Sequence, residues 1–273
     1  KAATVTLSIE GTNLTIDGTA LPGISEDEFP PFAYPKTTDK LIATVKHDGR
    51  ALADCLVSAS DDETWPNLNG VQIERNAAVA TDGHRLTMRE VETSTNTNDP
   101  FSAIIPTRAV KTLIGVAPES FDLREGWLVA QTDSARFVAR LVDGQYPNWR
   151  QAVPASTSLV ALNVSRDDLR AAMIGVDAVV SDLGKCATVA INPSTIDVSA
   201  SSPDLGAFSK SFNSLEANGS LKLGLNARYI KEWCDTVPKG EKIEIHCSGE
   251  LGPVTFRDSR EGFTIVMPMR LGN

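Results

Sequence analysis

The chain has 273 residues, 41% of them hydrophobic and 22% charged, which is the composition of a folded globular protein with length for one large or two ordinary domains. No apolar run approaches the roughly 20 residues that span a bilayer. The start, Lys1-Ala2-Ala3-Thr4-Val5, shows no basic region followed by an apolar stretch, so a cytoplasmic location is the default expectation. A net charge of -9 excludes a uniformly basic nucleic-acid binder, although an acidic exterior can coexist with a basic concave face.

In chain order, the alternating run Val5-Thr6-Leu7-Ser8-Ile9, a turn at Gly11-Thr12-Asn13 and Leu14-Thr15-Ile16 predict a small antiparallel sheet whose last strand closes on Phe29-Pro30. Residues 47–60 follow as a helix with Leu52, Cys55, Leu56 and Ala59 on its inner face. The string Asp82-Gly83-His84-Arg85 sets a histidine beside an acid and an arginine, as a general base requires. No second His, Cys or Ser constellation accompanies it, however, and His47 and His246 lie in unrelated contexts. A tight turn at Gly83, with His84 and Arg85 hydrogen-bonding locally, is the simpler reading.

Pro106 suits the first turn of a helix over Thr107-Arg108-Ala109-Val110-Lys111-Thr112-Leu113-Ile114. Three strands around Phe121-Asp122-Leu123, Trp127-Leu128-Val129-Ala130 and Ala135-Arg136-Phe137-Val138-Ala139-Arg140 lead to Tyr146-Pro147. Ser165 and Asp168 make an approximate capping box for a helix over 165–180, and Leu183-Gly184-Lys185 lacks the upstream glycine of a phosphate-cradling loop. Asn226 caps a helix over Ala227-Arg228-Tyr229-Ile230-Lys231-Glu232-Trp233-Cys234. Strands around Ile243-Glu244-Ile245, Val254-Thr255-Phe256 and Phe263-Thr264-Ile265-Val266 end on Met267-Pro268. The four cysteines, Cys55, Cys186, Cys234 and Cys247, have no C-x-x-C pair and no histidine at a ligand spacing; they read as reduced core residues, and neither metal nor cofactor is expected.

Pro30, Pro147 and Pro268 recur about 120 residues apart, the length of one domain. The helices repeat with the same offset, so the expected fold class is α+β, a repeated domain of two helices packed on small antiparallel sheets. The predicted divisions are 1–38, the tail end of one unit, then 39–155 and 156–273, two complete units. The closing run Phe263-Thr264-Ile265-Val266-Met267-Pro268-Met269-Arg270-Leu271 reads either as a last core strand or as a docking surface, where methionine suits varied apolar partners.

Three stretches, Ala80-Thr81-Asp82-Gly83-His84-Arg85-Leu86, Leu141-Val142-Asp143-Gly144-Gln145-Tyr146-Pro147-Asn148-Trp149-Arg150 and Val266-Met267-Pro268-Met269-Arg270-Leu271, resemble the bacterial DNA polymerase III beta subunit, the sliding clamp, in order and spacing over essentially the whole chain. Leu21-Pro22 and Glu28-Phe29-Pro30 resemble the end of that family's first domain, whose first two-thirds has no counterpart here. Gly272 and Asn273 extend past the leucine at which family chains commonly stop. The loop before Leu68 reads Trp65-Pro66-Asn67, so the aromatic DNA contacts that some members have near there do not carry over.

The resemblance implies a non-catalytic processivity factor whose domains close a ring around duplex DNA, helices inward, by self-association. Basic residues would face phosphates without reading bases; the candidates are Arg50, Arg108, Lys111, Arg166, Arg170, Arg228 and Lys231, with Arg108 and Lys111 favoured because their helix carries no acid. It also implies a groove between the last two domains for linear peptides of the polymerase alpha subunit, clamp-loader subunits, other polymerases and repair proteins. Its walls here would be Leu68, Thr81, Gly83, His84, Arg85, Leu86, Pro147, Ala152, Leu251, Pro253, Ile265, Val266, Met267, Pro268, Met269, Arg270 and Leu271, with Asn226 and Tyr229 at the edge. An apolar pocket with a polar rim is what an extended peptide with leucine or phenylalanine anchors needs. The alternative is a clamp-like peptide-binding module that does not encircle DNA.

Overall fold

The computed structural model describes residues 4–29, 34–36, 38–154, 158–180 and 186–271. Pro30, Leu183-Gly184-Lys185 and Gly272-Asn273 lie outside the described residues. The chain forms two compact units, Lys1–Thr37 and Thr38–Asn273.

The first unit is an antiparallel meander of β1 (Leu7–Glu10), β2 (Asn13–Ile16) and β3 (Thr19–Leu21). Asp17 and Gly18 both take positive φ, 45° and 86°, as a two-residue hairpin turn that matches strand twist requires. The expected closing strand at Phe29 is absent. Pro22 cannot donate to a ladder, and Glu26–Glu28 instead coil into a 3-10 turn. In that turn the Glu28 amide donates to the Ser25 carbonyl and the Ser25 amide to the Glu28 carboxylate.

The second unit runs β4 (Leu41–Lys46), α1 (Gly49–Leu56), β5 (Gly70–Glu74), β6 (Ala77–Thr81), β7 (Arg85–Glu90), β8 (Thr93–Ser94), β9 (Ser102–Pro106), α2 (Thr107–Val116), β10 (Ser120–Arg124), β11 (Trp127–Gln131) and β12 (Arg136–Arg140). It continues with β13 (Val160–Ser165), α3 (Arg166–Asp177), β14 (Cys186–Ile191), β15 (Thr195–Ser202), β16 (Gly206–Asn213), β17 (Leu221–Asn226), α4 (Ala227–Thr236), β18 (Lys242–Cys247), β19 (Val254–Arg257) and β20 (Gly262–Val266). Apart from the short β8, the second series repeats the first.

Local chemistry sets the helix ends. The Asp48 carboxylate accepts from the Arg50 and Ala51 amides, both at 3.0 Å, so α1 begins at Gly49, later than the expected 47. Asn226 likewise accepts from the Arg228 and Tyr229 amides. Ser165 accepts from the Asp168 amide at 3.3 Å, while the Asp168 carboxylate turns toward the Lys210 ammonium, 3.8 Å away. Only one half of the expected capping box is therefore made.

An eight-stranded antiparallel sheet, β13-β18-β19-β20-β7-β6-β5-β9, runs across both series. Its seam is the pairing of β20 with β7, from Gly262 opposite Arg89 to Val266 opposite Arg85. Flanking it are the sheets β12-β11-β10-β4-β8 and β16-β15-β14-β17. Strand alternation separates the faces of the long sheet. On one face, Val71, Ile73, Ala78 and Ala80 pack with α1 and α2, and Leu162, Ile245, Phe256 and Val266 pack with α3 and α4. On the other, Val79, Leu86, Ile104, Phe263 and Ile265 are covered by Tyr146 and Trp149. Cys55, Cys234 and Cys247 are free and buried; burial pushes the thiols of Cys234 and Cys247 up to about 12 and that of Cys55 up as well.

Candidate functional site

The closing run crosses from one series to the other. After β20 leaves the sheet, the Met267 amide donates to the His84 carbonyl at 2.9 Å, and two residues on the Met269 amide donates to the Gly224 carbonyl at 2.9 Å. Residue 224 must be glycine for this approach. A Cβ there would lie 2.6 Å from the Met269 carbonyl oxygen and 3.1 Å from Leu271 Cδ2.

The turn preceding β7 is built by Asp82. One of its oxygens accepts from the His84 and Arg85 amides, each at 2.9 Å, and Gly83 takes φ 89°. The Thr81 hydroxyl accepts from the Gly83 amide and donates to the Arg85 carbonyl, and the Tyr146 hydroxyl accepts from the Thr81 amide. Arg85 is drawn inward from this turn. Its Nε donates to Asp82 at 2.9 Å, its Nη1 to Glu232 of α4 at 2.6 Å, and its guanidinium stacks 4.2 Å from the centre of the Tyr229 ring.

A cavity of about 430 Å³ flanks the closing run and is lined by Lys222, Leu223, Gly224, Glu250, Leu251, Met269, Arg270 and Leu271. Four of these were predicted for the groove. Lys222, Leu223, Gly224 and Glu250 were not, although a glycine inside the strand Leu221-Lys222-Leu223-Gly224-Leu225 signals close backbone approach. Met267 is 40% exposed and Leu251 56%, large apolar side chains open to solvent. Gly83, His84, Pro147, Ala152 and Arg270 are also exposed, while Leu68, Thr81, Asn226, Tyr229, Pro253, Pro268, Met269 and Leu271 are half-buried.

Three predicted wall residues lie deeper than expected. Leu86 and Ile265 face each other at the seam under Tyr146 and Trp149, and Val266 is wholly buried in the helix-side core. Central strands of a sheet packed on both faces leave no side chain at the surface. These residues belong to the cores on either face of the sheet, and Val266 points away from the outer face that Tyr146 and Trp149 cover.

The seven candidate cations divide sharply. Arg50, Arg108 and Lys111 are exposed and have no ion pair among the described residues. Arg166 is 5% exposed and is not available to a phosphate: its Nε donates to the Cys234 carbonyl at 2.8 Å and its Nη1 to Asp167 at 2.7 Å. The remaining three are engaged at the surface, Arg170 with Asp235 at 2.5 Å, Arg228 with Glu232 at 2.6 Å and Lys231 with Asp177 at 2.8 Å.

The sequence profile of the DNA polymerase III beta subunit central domain matches residues 45–148. Proteins named beta sliding clamp from Staphylococcus epidermidis and Staphylococcus aureus are each 22% identical over 263 residues, covering 92% of this chain and 69% of their own length. Over most of its length the chain is similar to DNA polymerase III beta subunits, and the profile match lies within its residues 45–148. The fold agrees: a Bacillus subtilis sliding clamp superposes with TM-score 0.86 at 19% identity, covering 100% of this chain and 76% of that one. The Thermotoga maritima beta subunit superposes with TM-score 0.80 at 22% identity, covering 98% and 76%. Among the described residues, no helix is long and apolar enough to cross a membrane.

Proposed function

We propose that this chain is a clamp that encircles duplex DNA and tethers a replicative polymerase by topology. In this reading residues 39–155 and 156–273 are the middle and C-terminal clamp domains, residues 1–38 close a first domain, and self-association completes the ring in the cytoplasm. Polymerase, clamp-loader and repair proteins dock through linear peptides in the groove beside the closing run.

One observation carries the reading: a single continuous sheet holds all four helices of the second unit on one face, and that face displays Arg50, Arg108 and Lys111, exposed and with no ion pair among the described residues. Each arginine is the second residue of its helix, where the dipole disfavours positive charge by about 0.3–1 kcal/mol. Cations held there against their own helix suit an external anion. Phosphate contacts of this kind position a protein on DNA without reading sequence.

A second reading, a peptide-binding module that does not encircle DNA, draws on the opposite observation that Arg166, Arg170, Arg228 and Lys231 are engaged within the protein. Retention on circular duplex DNA after loading separates the two. The clamp stays bound until the circle is cut, and replacing Arg108 and Lys111 with glutamate shortens its residence and flattens the salt dependence. Equal retention by the double variant removes these residues from the DNA face. A strictly monomeric chain that is never retained supports the module.

A further inference from the structure

Glu232 divides its carboxylate between two arginines that belong to different series of elements, Arg85 of β7 and Arg228 of α4. Its Oε1 accepts from Arg228 Nε at 2.6 Å, and its Oε2 accepts from Arg85 Nη1 at 2.6 Å. Arg228 is one helical turn away on α4, with its side chain 55% exposed on the helix face. Arg85 begins β7, on the other side of the seam, and its side chain is only 11% exposed. The chain of contacts thus runs from solvent, through Glu232 at 27% exposure, to Arg85, which is also held by Asp82 and the Tyr229 ring and follows His84, whose carbonyl receives the Met267 amide of the closing run.

We infer that Glu232 is a positioning residue that couples the helix face to the groove, so that an anion bound at Arg228 tightens the binding of a linear peptide beside Arg85. The inference rests on the clamp reading for the identity of both ligands. Its physical basis is the unequal setting of the two pairs. The outer pair is solvent-screened, and a DNA phosphate can replace the carboxylate on Arg228 with little loss. The inner pair is shielded and keeps its strength. When Arg228 turns to a phosphate, the whole carboxylate charge falls to Arg85, and the guanidinium is fixed more firmly against Tyr229 and Asp82. A donor already fixed before the peptide arrives leaves less ordering to be done on binding.

The neighbouring helix cations lack this connection. Arg170 ends on Asp235 and Lys231 on Asp177, and neither acid bonds a predicted groove residue among the described residues. Glu232 alone among these acids bridges the two series, because α4 lies against the seam, where it touches both β20 and α1.

The test uses the full chain, a short fluorescein-labelled peptide ending in leucine and phenylalanine, and a short duplex DNA. Saturating duplex should lower the peptide dissociation constant about fivefold, and peptide should tighten DNA by the same factor, since coupling between sites is reciprocal. Glu232→Gln keeps the shape but loses the charge and should reduce that factor to about one. Glu232→Asp restores the charge on a side chain too short to reach both arginines, so it should recover peptide affinity without recovering the coupling. A merely structural role for Glu232 would change affinity and leave the coupling factor as it was. If the wild type fails to bind the peptide at all, the groove reading falls and this inference with it. If it binds both ligands with no mutual effect, or with an effect that survives Glu232→Gln, the coupling alone is overturned.

Discussion

Arg50 and Arg166 stand near the start of α1 and α3, two helices in corresponding places of the two series, yet one is exposed and the other is buried. The difference is one position. Arg50 is the second residue of α1, whereas Arg166 is the first of α3, and one residue turns a side chain by about 100° around a helix axis. That rotation carries Arg166 against the end of α4, where its guanidinium caps the Cys234 carbonyl, a location that favours a cation. Charge and spacing in the sequence therefore made Arg166 look equivalent to the others, since a helix start cannot be read to within one residue. Arg166→Ala should leave a buried carbonyl unsatisfied and lower stability by about 2–3 kcal/mol. A shift in the denaturant midpoint of that size checks it; an unchanged midpoint would mean that water replaces the guanidinium.

At the scale of elements, the helices and most strands were legible because apolar periodicity, caps and turn glycines agree. Asn226 before α4 and Gly83 before β7 act as their residue types suggest. The closing run was ambiguous between core strand and docking surface; its first half is core strand, and its second half leaves the sheet. Residues 262–266 are buried in β20, while Met267 emerges and Leu271 lines the cavity beside Gly224. Replacing Met267 and Leu271 together with alanine should weaken a Leu-Phe peptide at least tenfold, about 1.4 kcal/mol, with the thermal midpoint nearly unchanged. Isothermal titration measures this directly. Unchanged affinity would remove the docking role.

Over the whole molecule, the two series are joined by more than the seam. The Thr87 and Thr264 hydroxyls meet across it at 2.9 Å, and Arg89 of β7 ties Asp54 of α1 at 2.9 Å to Asp258 at 2.8 Å, with Arg260 bonded to both acids. Breaking such a buried cluster by removing one member costs about 3–5 kcal/mol, so Asp258→Ala should loosen the seam and lower stability accordingly. The two acids titrate in opposite directions. Burial raises the Asp54 carboxyl above its usual range despite Arg260 and Arg89. For Asp258 burial also pulls upward, but hydrogen bonding to Arg260 and the charge of Arg89 outweigh it and hold the carboxyl low. A depressed folded value means that the Asp258 contribution is complete above the unfolded value near pH 4 and disappears as pH falls through the lower folded value. Asp54 has the opposite sign, because its ionisation opposes folding at neutral pH and protonation relieves it. Urea titrations of wild type and Asp258→Ala should therefore begin to converge as pH falls below about 4, and a gap that did not narrow with further acidification would exclude this origin.

The sequence by itself determined the repeat, the α+β class, the helix caps and the family motifs. All of these follow from interactions within a few residues or from patterns that strand and helix periods impose. Only the tertiary structure decided that β7 and β20 join two series into one sheet, that Val266 faces a core, that Arg166 is internal and that Glu232 serves two arginines. Each of these depends on residues far apart in the chain, and helix rotation and strand register choose their partners only once the whole sheet is assembled.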